Sequence, residues 1–84
     1  MKVEFEYELN REWIYNDDED VIGETNFVVP AEWLRELYEN KYTEIYSSFD
    51  DFLDSYEPEV DGEFIYQEAI KQKILKEDLG IVMY

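Results

Sequence analysis

From Lys2 to Leu9 apolar and charged side chains alternate without a break. Val3, Phe5, Tyr7 and Leu9 fall on one parity, and Glu4, Glu6 and Glu8 fall on the other. A period of two marks a strand with one face on a core and one face in water. Such a strand cannot stand alone, because its edges and its apolar face all need partners. The rest of an 84-residue chain must supply them, and that length suits one domain.

A second strand follows. Residues 13–20 end in Asn16-Asp17-Asp18-Glu19-Asp20, a polar turn or loop. Residues 21–29 carry Val21, Phe27, Val28 and Val29, with Gly23 as a candidate bulge. The connection is too short for a parallel crossover, so the two strands are expected to pair antiparallel. Pro30 suits the first turn of a helix.

Trp33, Leu34, Leu37, Tyr38, Tyr42, Ile45 and Tyr46 then recur at three- and four-residue spacing and continue into Phe49, Phe52, Leu53 and Tyr56. One long helix or two fit this spacing. Ser48-Phe49-Asp50-Asp51 places an acid three residues after a serine, the pattern of an N-cap, which favours two. Pro58 disfavours helix in the residue before it, so the second helix is expected to end near Tyr56. Asp61-Gly62 marks a turn, with Asp61 as candidate cap of a third helix over about 63–78. Tyr66, Ile70 and Ile74 form its apolar set, and Gly80 fits the position just past its end.

The apolar tail Ile81-Val82-Met83-Tyr84 offers a third strand. It could close the sheet within the monomer or pair across a dimer, so the oligomeric state stays open. The expected architecture is α+β in the order β-β-α-α-α-β. Two N-terminal strands and a short C-terminal strand form a small antiparallel sheet against three helices, as one acidic domain over 1–84.

The formal charge is −16, from 23 acids and 7 bases, yet 45% of residues are apolar and 18% are aromatic. Disordered acidic tails are poor in aromatics, so this chain is acidic and still able to build a core. The charge is unevenly spread. Residues 1–63 hold 20 acids and four bases, whereas residues 64–84 hold Glu68, Glu77 and Asp78 against Lys71, Lys73 and Lys76. No Lys or Arg occurs between Tyr42 and Ile70. Mutual repulsion of this size opposes compaction, so a fold that keeps it is expected to use it.

Histidine and cysteine are both absent. The usual general base at neutral pH, the commonest transition-metal ligands and any disulfide are thereby removed. With so few glycines, set far apart, there is no phosphate-cradling loop. Carboxylate pairs are unavoidable at this density and do not signal glycosidase chemistry. A non-catalytic protein without cofactor is expected. Neither a signal peptide nor a membrane span is evident, which points to the cytoplasm of a bacterial or infected host cell.

Four acidic constellations remain. Glu4, Glu6 and Glu8 repeat along a strand at about 6.7 Å, a spacing similar to that of phosphates along a nucleic-acid backbone. Asp17, Asp18, Glu19 and Asp20 crowd one turn. Glu32, Glu36 and Glu39 line a helix at i, i+4, i+7, where like charges cost a few tenths of a kcal/mol each. Glu44, Asp50, Asp51, Asp54, Glu57, Glu59, Asp61 and Glu63 fill the stretch without bases. Any one group is an ordinary solvated face or an acid suited to a helix N-terminus. Four together, with so few cations among them, point to a basic partner surface, such as that of a nuclease or a nucleic-acid-guided effector. Direct contact with nucleic acid is excluded by the sign of the charge. Among eight tyrosines, Tyr15 and Tyr56 are expected to be exposed at that interface, while Trp13 and Trp33 are expected in the core.

In composition the chain resembles the DNA-mimic inhibitors as a functional class, including some anti-CRISPR and anti-restriction proteins of phages and mobile elements. The resemblance carries no aligned motif, so no residue role is transferred. It implies an inhibitor that occupies the nucleic-acid site of another protein. The alternative is an acidic interaction module, accessory subunit or immunity protein without mimicry. A third reading is weak calcium binding. Residues 57–68 partly match an EF-hand loop, with Glu57, Glu59, Asp61 and Glu68 at ligand positions and Gly62 at the sharp turn. Glu stands there where the shorter Asp or Asn is usual, and Pro58 stiffens the entry.

Overall fold

The computed structural model describes residues 5–84. Glu4, the first of the strand acids, lies outside the described residues. The order is β1 (Glu6–Tyr15), β2 (Val21–Pro30), α1 (Ala31–Lys41), α2 (Phe49–Ser55), a π-helical turn (Pro58–Gly62), α3 (Glu63–Lys71) and β3 (Glu77–Met83). The strands form one antiparallel sheet in the order β1-β2-β3. The fold is therefore α+β with the arrangement β-β-α-α-α-β.

The central strand is the most buried. Thr25 through Val29 are all buried, because β2 has a neighbour on each edge. Leu9, Phe27 and Val29 turn one face of the sheet toward the helices. There they meet Leu34 and Leu37 of α1, Phe49 and Phe52 of α2, and Ile65 and Ala69 of α3. Phe52 is fully buried, with rings of Tyr38, Tyr42, Tyr46, Phe49 and Tyr56 between 4.8 and 6.1 Å from its own. Aromatic packing on this scale substitutes for the larger aliphatic core of a longer chain. Ser48 caps α2 by accepting a hydrogen bond from the Asp51 amide, so the helical stretch is two helices.

Several boundaries differ from the sequence expectation. β1 does not stop at Leu9 but runs to Tyr15, so the loop shrinks to residues 16–20. The extension is carried by a bulge. Asn10 pairs with Asn26 and Glu12 with Thr25, leaving Arg11 as the extra residue. This resets the alternation, so a strict period of two fails beyond Asn10. A second irregularity falls on Ile22 beside Gly23, close to where a bulge was expected. Phe5, placed on the core parity, is 73% exposed. Trp13 and Trp33 are half-buried rather than core, and the Trp33 indole donates to Gln72. Pro30 ends β2 and serves as the extended N-cap of α1 instead of entering the helix.

The third helix ends at Lys71, well short of 78. Lys73 takes a left-handed backbone, with φ of 58°, and turns the chain back toward the sheet. Gly80 is not a helix terminator. It sits within β3 at φ 69°, next to a bulge at Leu79. Ile65, Tyr66 and Ala69 face the core, whereas Ile70 is exposed. Asp61 does not cap α3. The π-helical turn runs directly into α3 through Gly62 in helical geometry.

Candidate acidic binding edge

The position of α2 and the π-helical turn decides where the acids lie. At the start of α2 the Phe49 ring meets Tyr7 of β1 edge to face at 5.8 Å. Just past its end, the Tyr56 hydroxyl accepts the Asn10 amide of β1. The π-helical turn then packs against the same strand. A Cβ built on Gly62 would stand 2.2 Å from the Asn10 carbonyl oxygen, so only glycine lets the turn come this close. The guanidinium of Arg11 forms a bidentate ion pair with Glu63 and stacks 4.0 Å above the Tyr66 ring. This pairing holds the Glu63 carboxyl below its ordinary range and raises the arginine. The base-free stretch is thereby folded back along the outer flank of β1.

Exposed acids of three of the four groups lie on β1, on the turn at its far end, and on the α2 and π-helical segments that touch it. Glu6, Glu8 and Glu12 are exposed on β1 itself. Glu57 and Glu59 are exposed beside its middle, and Asp50, Asp51 and Asp54 are exposed on α2. Asp17, Asp18, Glu19 and Asp20 form the exposed turn at the far end of the strand. In that turn the Asn16 side chain accepts from the Asp18 and Asp20 amides, and Glu19 is left-handed at φ 65°. The strand runs ten residues from Glu6 to Tyr15, a span of about 30 Å. The remaining group lies on α1. Glu32, Glu36 and Glu39 are exposed on α1, in the helical layer. Glu6 and Glu8 belong to the sheet face opposite that layer.

With few cations available, tyrosines satisfy carboxylates instead. Tyr15 donates to Glu59 at 3.0 Å, Tyr46 to Asp61 at 2.9 Å, Tyr66 to Asp78 at 2.6 Å and Tyr84 to Glu24 at 3.1 Å. A phenol beside a carboxylate is held neutral, which raises Tyr15 and Tyr66; Tyr84 is raised first by burial and then by its bond to Glu24. Tyr46 is pushed up to about 12, first by burial and then by its bond to Asp61. Tyr42 is also pushed up to about 12, chiefly by burial. Asp78 is lowered by the Tyr66 phenol and by the Gly80 amide. Nothing in the sequence spacing announces these pairs, because their members are brought together only by the fold. Tyr15 is half exposed, as expected. Tyr56 is half-buried with its hydroxyl on the β1 edge, so it is a structural clamp rather than an exposed contact.

The residues matching a calcium loop do not converge. Asp61 accepts from Tyr46 and from the Glu57 amide, Glu59 from Tyr15, and Glu68 from Gln72 along α3. Residues 58–62 are wound into the π-helical turn instead of an open loop. Among the described residues no group of three or more acids is arranged to hold a metal ion.

One feature beside the edge escaped the sequence reading. Lys41, Tyr42, Val60, Asp61 and Phe64 line a shallow, open concavity. Val60 is 62% exposed there, and the Lys41 ammonium lies 5.5 Å from the Phe64 ring centre. Among the described residues no helix is long and apolar enough to cross a membrane. Comparison with protein-family models, with curated proteins and with solved structures yields no match.

Proposed function

We propose that this chain is a non-catalytic inhibitor of the DNA-mimic type. It occupies the basic nucleic-acid-binding surface of a nuclease or nucleic-acid-guided effector in the cytoplasm of a bacterial or infected host cell. One observation carries the reading: the stretch from Tyr42 to Ile70, which has no base, folds along the flank of β1. In this proposal its acids act with those of the strand and of the 16–20 turn as one elongated edge. A basic groove surrenders counterions to a rigid polyanion as it does to nucleic acid. Arg11, the described base on β1, is already committed to Glu63 and so does not dilute the edge. Glu6, Glu8, Asp17, Asp18, Glu19, Asp20, Asp50, Asp51 and Asp54 are the contact residues, with Tyr15 as the aromatic among them. Glu4 extends the same row in sequence. Glu32, Glu36 and Glu39 contribute to the general field.

The test is capture of partners on the immobilised protein, with and without competing duplex DNA. A nucleic-acid-binding partner displaced by DNA supports the reading. A partner that binds protein and DNA at once overturns it. A second reading, an accessory or immunity module without mimicry, is favoured by the concavity with Val60 and Phe64, an apolar anchor flanked by Lys41 and Asp61. Under that reading Val60→Ala abolishes capture and charge neutralisation on β1 leaves it intact.

A further inference from the structure

The two outer edges of the sheet are treated differently. That of β1 is covered at its middle by the π-helical turn and Tyr56. On β3, among the described residues, no strand lies beyond the outer edge. Open edges are normally blunted by charge, bulges or proline. β3 has such protection only at its start, where Glu77, Asp78 and the bulge at Leu79 lie. The remainder is uncharged and exposed: Ile81 at 66%, Val82 at 45% and Met83 at 56%, followed by exposed Tyr84.

The backbone there is oriented for pairing. The Tyr84 amide donates inward to Ile22. By the alternation of an antiparallel ladder, Ile81 and Met83 direct their N–H and C=O groups outward. We propose that β3 pairs antiparallel with β3 of a second copy of this chain, Ile81 of each opposite Met83 of the other, to form a two-fold symmetric dimer with a six-stranded sheet.

Charge identifies the occupant. Two copies of a chain at −16 repel one another wherever residues 1–63 meet, since those residues carry the whole excess. Residues 64–84 balance three acids with three bases, and residues 79–84 have no charged side chain. This is the surface on which a second copy approaches without opposing carboxylates. Two-fold pairing centred on Val82 sets the Glu77 and Asp78 pairs of the two copies at opposite ends of the ladder. The contact is self-complementary, and growth stops at two chains because the β1 edge is occupied by its own π-helical turn.

The proposal is independent of the partner read for the acidic edge. Sedimentation equilibrium of the full chain over rising concentration tests it. The expected mass climbs from one chain to two and no further, and high salt strengthens the association. Met83→Pro removes an outward N–H without touching the bond to β2, and Ile81→Glu brings two carboxylates together near the two-fold axis. Both variants are expected to stay single chains with unchanged far-ultraviolet circular dichroism. In the wild type, the amides of Ile81 and Met83 gain protection from exchange as concentration rises. A mass of one chain throughout, growth beyond two chains, or dimers that persist in both variants would overturn it.

Discussion

At the scale of residues, the chain solves the problem of its own acidity with phenols. Four tyrosine–carboxylate bonds stand where a less acidic protein would place lysine or arginine, beside the close Arg11–Glu63 ion pair. The cost appears at high pH. Tyr42 and Tyr46 titrate at about 12 in the folded protein, against 10.0 ordinarily. A raised folded pKa means the stability they contribute is complete below pH 10 and is lost as pH rises toward 12. An absorbance titration should therefore show late phenolate formation that coincides with loss of circular dichroism. The Thr25 hydroxyl is buried with no hydrogen-bond partner. Thr25→Val should raise stability by about 1 kcal/mol in chemical denaturation.

At the scale of elements, the π-helical turn holds the design together. It covers the β1 edge and brings the base-free stretch to it. Gly62 makes the approach feasible, and a methyl group there would meet the Asn10 carbonyl. Gly62→Ala is expected to cost about 1–3 kcal/mol, as overpacking does, and to expose the Asn10 amide to faster hydrogen exchange. Unchanged exchange would show that the turn is not the cover. This element also marks the limit of what the sequence discloses. The alternation up to Leu9, the Ser48 cap and the apolar tail were legible because each is a local pattern. The bulge at Arg11 was not, since its reason lies in Glu63, far along the chain. The end of α3 at Lys71 was hidden because helical spacing continues through Ile74. Tertiary bonds from β3 to β2 override it there, beginning with the Lys76 amide on Val28.

At the scale of the molecule, the acidic excess belongs to residues 1–63, and residues 64–84 are balanced. The flank of β1 carries acids along its length, while α3 crosses beneath β2 and delivers Lys71, Lys73 and Lys76 to the approach to β3. The excess of acid was plain in the sequence; the docking of α2 and the π-helical turn against β1 was not, because it depends on contacts far apart in the chain. Self-repulsion within this field predicts that added salt raises the melting temperature. A melting temperature that falls with salt would contradict it.

In the proposed function the acids along β1 stand in for the phosphates of nucleic acid. The direct measurement is the affinity for the captured partner as ionic strength rises, with duplex DNA as competitor. We expect affinity to fall steeply with salt and DNA to compete fully. Asp17→Asn, Asp18→Asn and Asp20→Asn together should flatten the salt dependence without unfolding the domain. Affinity that stays level across salt, or a ternary complex with DNA, would contradict the claim.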